Sequence, residues 1–401
     1  MGPAFRKTLS PDPPGTPRAD VLHTQSAVVD EELRQAVSDL RVVSLAGGVP
    51  ADELFPGPEI EQALASALRA GAARVLQYGW PEGVGHLRAQ IAARMAGRGV
   101  HVRSEQILIT SGAQQALSLL AQLLVPMGAP VAVEIPTYAS ALQAFDLRKP
   151  QYRPVPRSAQ GIDLAALEYA LGKGGAQVLY LVASGHNPTG GVLGPADRDG
   201  VLSCAERHNT WVIDDDAYGD LQFGTPEPPL LALGRHRDRI VHVGSFSKVL
   251  APGLRVGWIA GPHELVAEVT RVKQAQDLET ATLTQRILSA WLDAHSLDDH
   301  IARSLAVYRA RRDAMLDALR RTMPAGVRWE IPAAGFSVFV QVPPPFDAGA
   351  SLARGLPAGV GFEPAAPYFV TGASSGAVRL SFSNASEADI QLGVERFAGL
   401  L

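Results

Sequence analysis

Lys248 stands in the stretch "GSFSKVLAPGLRVGW", between small hydroxyl residues and a proline-glycine turn, directly after the apolar run "IVHV". Most lysines are solvated, and a lone S-x-S-K says little. An amine fixed at the end of a buried strand has another use, because its free base attacks a carbonyl. A second stretch, "IDDDAYGD", closes an apolar run with Asp214, Asp215 and Asp216, and Tyr218 follows three positions past Asp215. Such a loop is solvated, holds a metal, or sets one aspartate against a cationic ring nitrogen. Beyond it no histidine or carboxylate follows at ligand spacing, which disfavours a metal. In "TSGAQQALSLL", Gly112 permits a tight turn before a helix whose first N–H groups and dipole suit an anion such as phosphate. An ordinary strand-to-helix turn has the same appearance. Arg255 lies seven residues past Lys248 and is either a surface arginine or a charge-assisted partner for that phosphate.

Taken together, a lysine amine, a phosphate cradle, an aspartate for a ring nitrogen and the aromatic face of Tyr138 describe one cofactor, pyridoxal phosphate (PLP). Its aldehyde forms a Schiff base with a lysine, and its ring takes up electrons while an aspartate keeps the ring nitrogen protonated.

These residues need elements to hold them. The runs "QILIT", "PVAVEI", "QVLYLVA", "TWVID" and "RIVHVG" alternate with helical patterns such as "AQQALSLLAQLLV" and "PADRDGVLSCAERH". Alternation of this kind predicts an α/β fold with a mainly parallel sheet covered by helices. Each run ends in a polar stretch, namely "TSGAQQA", "PTYAS", "SGHNPTGG", "DDDAYGD" and "SFSK". Ligands in such sheets bind at the carboxyl ends of strands. After about residue 290 a long polar helix leads to "GFSVFVQVP" and "AVRLSFS", which predicts a smaller α+β unit. The expected organisation is a proline-rich arm (1–20), a helix and joining segment (21–55), a large cofactor-binding domain (56–290) and a small domain (291–401).

The chain has 401 residues, 46% of them apolar and 19% charged, with a net charge of −4. That balance offers no basic field to nucleic acid or an anionic membrane. No apolar run is long enough to span a bilayer, and the N-terminus lacks the core of a secretory signal, so a cytoplasmic location is expected. The single cysteine, Cys204, rules out an internal disulfide and reads as a small packed residue in a helix.

The ordered motifs "SFSKVLAPGLRVGW", "GHNPTGG" and "DDDAYGDLQFG" resemble the fold-type I PLP enzymes of the class I/II aminotransferase group, and most closely the 2-aminoadipate aminotransferase branch. The likeness runs from "SLAGGVPADELFP" to "AVRLSFSNAS". It implies that Lys248 is the Schiff-base lysine and Asp215 the partner of the ring nitrogen. Asn187 and Tyr218 would bond the ring hydroxyl, and Tyr138 would stack on the ring. Gly112, Ala113, Gln114, Ser245 and Arg255 fall at phosphate positions. Arg379 would grip the substrate α-carboxylate, with Gly48 on the substrate side. Tyr78, in "LQYGWPEG", would reach the phosphate of a neighbouring subunit, which implies a homodimer with shared sites. Ala113 departs from the Ser or Thr common there. His186 departs from the usual Gln or Asn; it either touches substrate or packs near the Asn-Pro turn.

The implied reaction exchanges an amino group between an amino acid and a 2-oxo acid, with Lys248 as base and then acid. Elimination, cyclisation and oxidation begin with the same proton loss and remain alternatives. A PLP-binding regulator would need an N-terminal winged-helix domain, whereas 43 residues precede "SLAGG" here and are not basic. In the 2-aminoadipate branch an arginine in the helix before "AGG" can receive the acidic end of the substrate. Counting back without gaps, Glu31 falls at or near that position, flanked by Asp30 and Glu32. These acids are either the solvated first turn of a helix or a sign that the substrate has a basic or guanidino side chain. Such a preference would suit a specialised biosynthetic pathway.

Overall fold

A computed structural model describes residues 42–158, 161–370 and 376–401. Residues 1–41, with the proline-rich arm and Glu31, lie outside the described residues.

Five of the large sheet's strands are the five apolar runs: β2 (Ile107–Thr110), β3 (Pro130–Ile135), β6 (Val178–Leu181), β7 (Trp211–Asp215) and β8 (Ile240–Ser245). β4 (Gln151–Ser158), β5 (Gly161–Ile162) and β9 (Gly257–Ala260) complete eight strands in the order β2-β9-β8-β7-β6-β3-β4-β5. The central pairings from β4 to β8 are parallel, while β9 runs antiparallel to both β8 and β2. Both faces of the sheet are covered, which is why β2, β6 and β8 are buried along their whole length. The side-chain alternation of a strand separates the two cores. Leu108 packs with Leu117, Leu120 and Ile259 on one face, whereas Ile107 and Ile109 belong to the larger cluster on the other.

Helices 113–124 and 195–207 occupy the predicted positions. The long polar helix runs from Leu297 to Thr322 and takes Ser296 as its N-cap, whose side chain accepts from the Asp299 N–H. β10 (Arg328–Trp329), β11 (Ser337–Gln341), β13 (Glu363–Pro364) and β14 (Ala377–Ser381) form a four-stranded antiparallel sheet, ordered β10-β11-β14-β13. A separate parallel pair joins β1 (Val43–Ser44) to β12 (Val360–Gly361). This pairing draws the segment that carries Gly47 and Gly48 toward the smaller sheet, where the Ser381 N–H donates to the Leu45 carbonyl at 2.7 Å. No helix among the described residues is long and apolar enough to cross a membrane.

Candidate active site

The carboxyl ends of the central strands open on a cavity of about 670 Å³. Lys248 reaches it from the turn after β8, and its Nζ donates to the Gly48 carbonyl at 2.6 Å. Its environment disfavours charge: burial lowers the ammonium pKa below the usual lysine value. The Nζ also lies 5.6 Å from the centroid of the Tyr218 ring.

Asp215, the last residue of β7, lines the same cavity. Its Oδ2 accepts from the Tyr180 hydroxyl at 3.0 Å, and its Oδ1 accepts from the Ala217 N–H at 3.3 Å. Burial pushes its carboxyl up to about 6. The neighbouring aspartates face elsewhere. Asp214 accepts from the Leu230 N–H at 3.0 Å, and Asp216 pairs with Arg98 at 2.5 Å. One strand end therefore sends its middle carboxylate to the cavity and uses the outer two as anchors.

The residues expected at the phosphate lie close together as well. Gly112 has φ +77°, and a Cβ there would come within 2.5 Å of the Arg255 Nη2, so only glycine lets that guanidinium approach the turn. Arg255 is held by the Ser111 carbonyl at 3.1 Å, and Ala113, Gln114, Ser245 and Ser247 line the cavity beside it. Ser245 Oγ accepts from the Ser247 N–H at 3.1 Å. Ala113 brings no hydroxyl; Ser247 stands among the lining residues and supplies one.

Tyr138 and Tyr218 flank the cavity, and burial raises the Tyr218 hydroxyl to about 12, so it is a donor at neutral pH. Asn187 Oδ1 accepts from Arg379 Nη1 at 2.9 Å. The second prong of that guanidinium, Nη2, is ion-paired with Glu363, its cross-strand neighbour. Arg379 Nε is buried and has no partner. Gly48 adjoins this end; a Cβ there would lie 3.2 Å from the Tyr218 hydroxyl oxygen and 3.6 Å from Arg379 Nη1.

Two expected residues lie off the cavity. Tyr78 is 78% exposed, next to the equally exposed Trp80. His186 is buried; its Nδ1 lies 2.8 Å from Thr189 Oγ1 and its Nε2 3.6 Å from Glu134, so it packs under the Asn-Pro turn and does not line the cavity. Burial, with Arg157 nearby, drives its pKa well below the usual histidine range and keeps it neutral. Cys204 is buried, and its thiol donates to Glu168 at 3.2 Å. Burial pushes that thiol up to about 12, away from nucleophilic use.

Sequence reasoning missed Tyr180, Glu363 and Tyr368. Tyr180 carried one signal, because a tyrosine in a fully apolar strand needs an acceptor for its hydroxyl. Glu363 and Tyr368 carried none. Glu363 faces Arg379 only through the pairing of β13 with β14, and Tyr368 reaches it from the turn that follows.

The donor set fits PLP. It offers a buried amine, a buried carboxylate in a cavity also lined by Tyr138, and an arginine against a glycine turn that no side chain could share. Fold and site together define a PLP-dependent transferase of fold type I. Within that class the chain belongs to the aminotransferase class I and II family, which matches residues 41–397. It is 37% identical to a 2-aminoadipate transaminase of Thermus thermophilus over 90% of each chain. It is 35% identical to an aromatic-amino-acid aminotransferase of Thermococcus litoralis, covering 92% of this chain and 89% of that protein. The structure resembles a kynurenine aminotransferase of Pyrococcus horikoshii, solved with PMP, with TM-score 0.90, 33% identity and 96% of each chain covered. The protein is thus a PLP-dependent aminotransferase.

Proposed function

We propose that this aminotransferase takes an L-α-amino acid with a basic or guanidino side chain as donor, passes the amino group to a 2-oxo acid, and works as a homodimer with composite sites. The carrying observation is that Lys248 and Arg379 open on one cavity with Asp215 between strand ends. In this reading Arg379 orients the substrate by its α-carboxylate, and Asn187 keeps Nη1 aimed. Lys248 Nζ, whose ammonium is disfavoured by burial, takes the proton from the substrate α-carbon as base and then, as acid, would deliver it to the cofactor carbon that retains the amino group. Asp215 holds the ring nitrogen, Tyr218 and Asn187 hold the ring hydroxyl, Tyr138 lies against the ring, and the Gly112–Gln114 turn with Ser245 and Arg255 holds the phosphate. Bound there, PLP supplies an aldehyde that carries the amino group and a ring that accepts electrons.

The donor class is supported by the charges of the lining. Its cations, Lys248, Arg255 and Arg379, all have duties in this scheme, so an acidic side chain finds none free among the described residues. Its carboxylates are Asp215 and Glu363, and Glu363 stands at the substrate end. A donor series settles the matter by kcat/KM and product analysis. Arginine and lysine are expected to exceed leucine, 2-aminoadipate and aromatic donors by about tenfold, or about 1.4 kcal/mol, each yielding its 2-oxo acid. A lead for leucine or 2-aminoadipate overturns the donor class, and a cyclised or eliminated product overturns amino transfer as the outcome.

The dimer rests on Tyr78, too exposed to serve its own site. In a mixed dimer, one subunit carries Tyr78→Phe and the other Lys248→Ala. Composite sites place both defects in one site, leaving the other intact and about half the wild-type activity. Activity well below half means that Tyr78 serves its own subunit, and a monomer in sedimentation removes the dimer.

A further inference from the structure

The guanidinium that would grip the substrate is already engaged. Arg379 donates through Nη1 to Asn187 and through Nη2 to Glu363. Glu363 is itself held from behind, because the Tyr368 hydroxyl donates to its other oxygen at 2.5 Å. Tyr368 is buried, and its ring lies under Arg379, with the guanidinium carbon 5.5 Å from the centroid. The side chains of Arg379 and Glu363 are only 6% and 17% exposed. The arrangement is therefore a largely dry ion pair fixed by strand register, with Glu363 directly opposite Arg379.

A bidentate grip on an α-carboxylate needs two parallel N–H groups of one guanidinium. Nη1 and Nη2 each already have an acceptor, so an incoming carboxylate that grips through Nη2 competes there with Glu363. Removing one partner from a desolvated ion pair leaves the other as an uncompensated buried charge, which is strongly unfavourable. The penalty depends on what else the substrate carries. A neutral side chain leaves Glu363 without a cation. An acidic one brings a second anion to it. A cationic one supplies a new partner at the moment the old one is lost.

We infer that Glu363 is a specificity-determining residue that exchanges partners on substrate binding. It is the counter-ion of Arg379 in the empty site and the acceptor of the substrate's side-chain ammonium or guanidinium in the filled one, so that capture of the α-carboxylate is coupled to the presence of a distal cation. The inference rests on the donor class proposed above and assigns it to a residue. It has a consequence for the second half of the cycle: the acceptor 2-oxo acid meets the same glutamate, so acceptors with neutral or acidic tails bind with a penalty that a basic 2-oxo acid escapes.

The test measures binding apart from turnover. Isothermal titration of the holoenzyme uses carboxylates that lack an α-amine, namely 5-guanidinopentanoate, hexanoate and adipate. Wild type is expected to bind the guanidino acid at least about tenfold more tightly than hexanoate. In Glu363→Gln that ratio collapses toward one, with hexanoate gaining affinity as Arg379 is freed. Glu363→Val serves as a second variant of similar breadth at the strand, and retention of the cofactor absorbance shows that each variant is folded. Tyr368→Phe, which keeps the carboxylate but loosens it, is expected to lower the ratio only partly. A ratio unchanged in both Glu363 variants overturns the inference, as does wild-type preference for adipate. If basic donors lead in the kinetic series while the Glu363 variants keep the ratio, the donor class stands and its assignment to Glu363 fails. If neutral donors lead while the variants still change the ratio, the donor class fails and the exchange at Arg379 stands.

Discussion

Lys248→Ala is expected to fold, keep the cavity and lose all measurable turnover, a fall of at least about 10⁴ in kcat, because one side chain supplies both the attachment and the proton transfer. Alanine removes an amine that has no substitute in the cavity, since the remaining lining cations are guanidinium groups. The attachment is read independently of rate. Borohydride reduction of the wild-type holoenzyme, followed by peptide mapping, is expected to place the cofactor on Lys248. Lys273 is a natural control, for it is fully buried yet tied to Asp277 at 2.8 Å and absent from the cavity lining. Cofactor found on Lys273 or any other lysine overturns the assignment, as does a Lys248→Ala protein with ordinary turnover.

Asp215→Asn is expected to retain the cofactor and lose about 10²-fold or more in kcat, since an amide cannot hold a ring nitrogen protonated as a carboxylate does. Asp216→Asn instead weakens the buried contact with Arg98 and is expected to lower thermal stability while leaving most of the rate. The reverse pattern would show that the wrong aspartate had been assigned. Asp215 also predicts a pH dependence. Burial raises its carboxyl from 3.8 to about 6 in the protein without cofactor. Its contribution to the stability of the apoprotein is therefore fully present below 3.8 and lost as the pH rises through about 6. Cofactor binding has the opposite sign, because the cationic ring nitrogen needs the ionised form. Between pH 7 and 5 the affinity of the wild-type apoprotein for PLP is expected to fall more steeply than that of Asp215→Asn. The difference between the two curves isolates Asp215 from the titration of the cofactor phosphate. Parallel curves would remove the carboxylate from the ring-nitrogen position.

Much of this site is legible in the sequence because its parts sit where strands end. Lys248, Asp215 and Gly112 each follow an apolar run with a period and length that name a buried strand, and a parallel sheet brings such ends together. Strands of the opposite character escape. β4 carries Pro154 and Pro156 and is largely exposed, which is tolerable only near a sheet edge, and it is absent from the apolar runs. β9, in "GWIA", follows so closely on the lysine turn that it reads as part of the motif. Glu363 illustrates the deeper limit. A lone glutamate in "GVGFEPAAP" has no periodicity, and its meaning lies in a cross-strand register with Arg379, 16 residues away, that no local pattern encodes. Tyr180 lies between these cases, since its hydroxyl had to find an acceptor but its sequence did not say which.

The hydrogen bond from Lys248 to the Gly48 carbonyl joins residues 200 positions apart, and the one from Arg379 to Asn187 joins residues 192 positions apart. Contacts of such separation form late, after the loops between them have closed. On a ribosome the carbonyl that steadies the lysine is made before the lysine, and Arg379 after both. The large sheet can therefore gather Gly112, Asp215 and Lys248 while the substrate end is still unmade. Until Arg379 has been made, the Lys248 amine lacks the guanidinium that lines the same cavity.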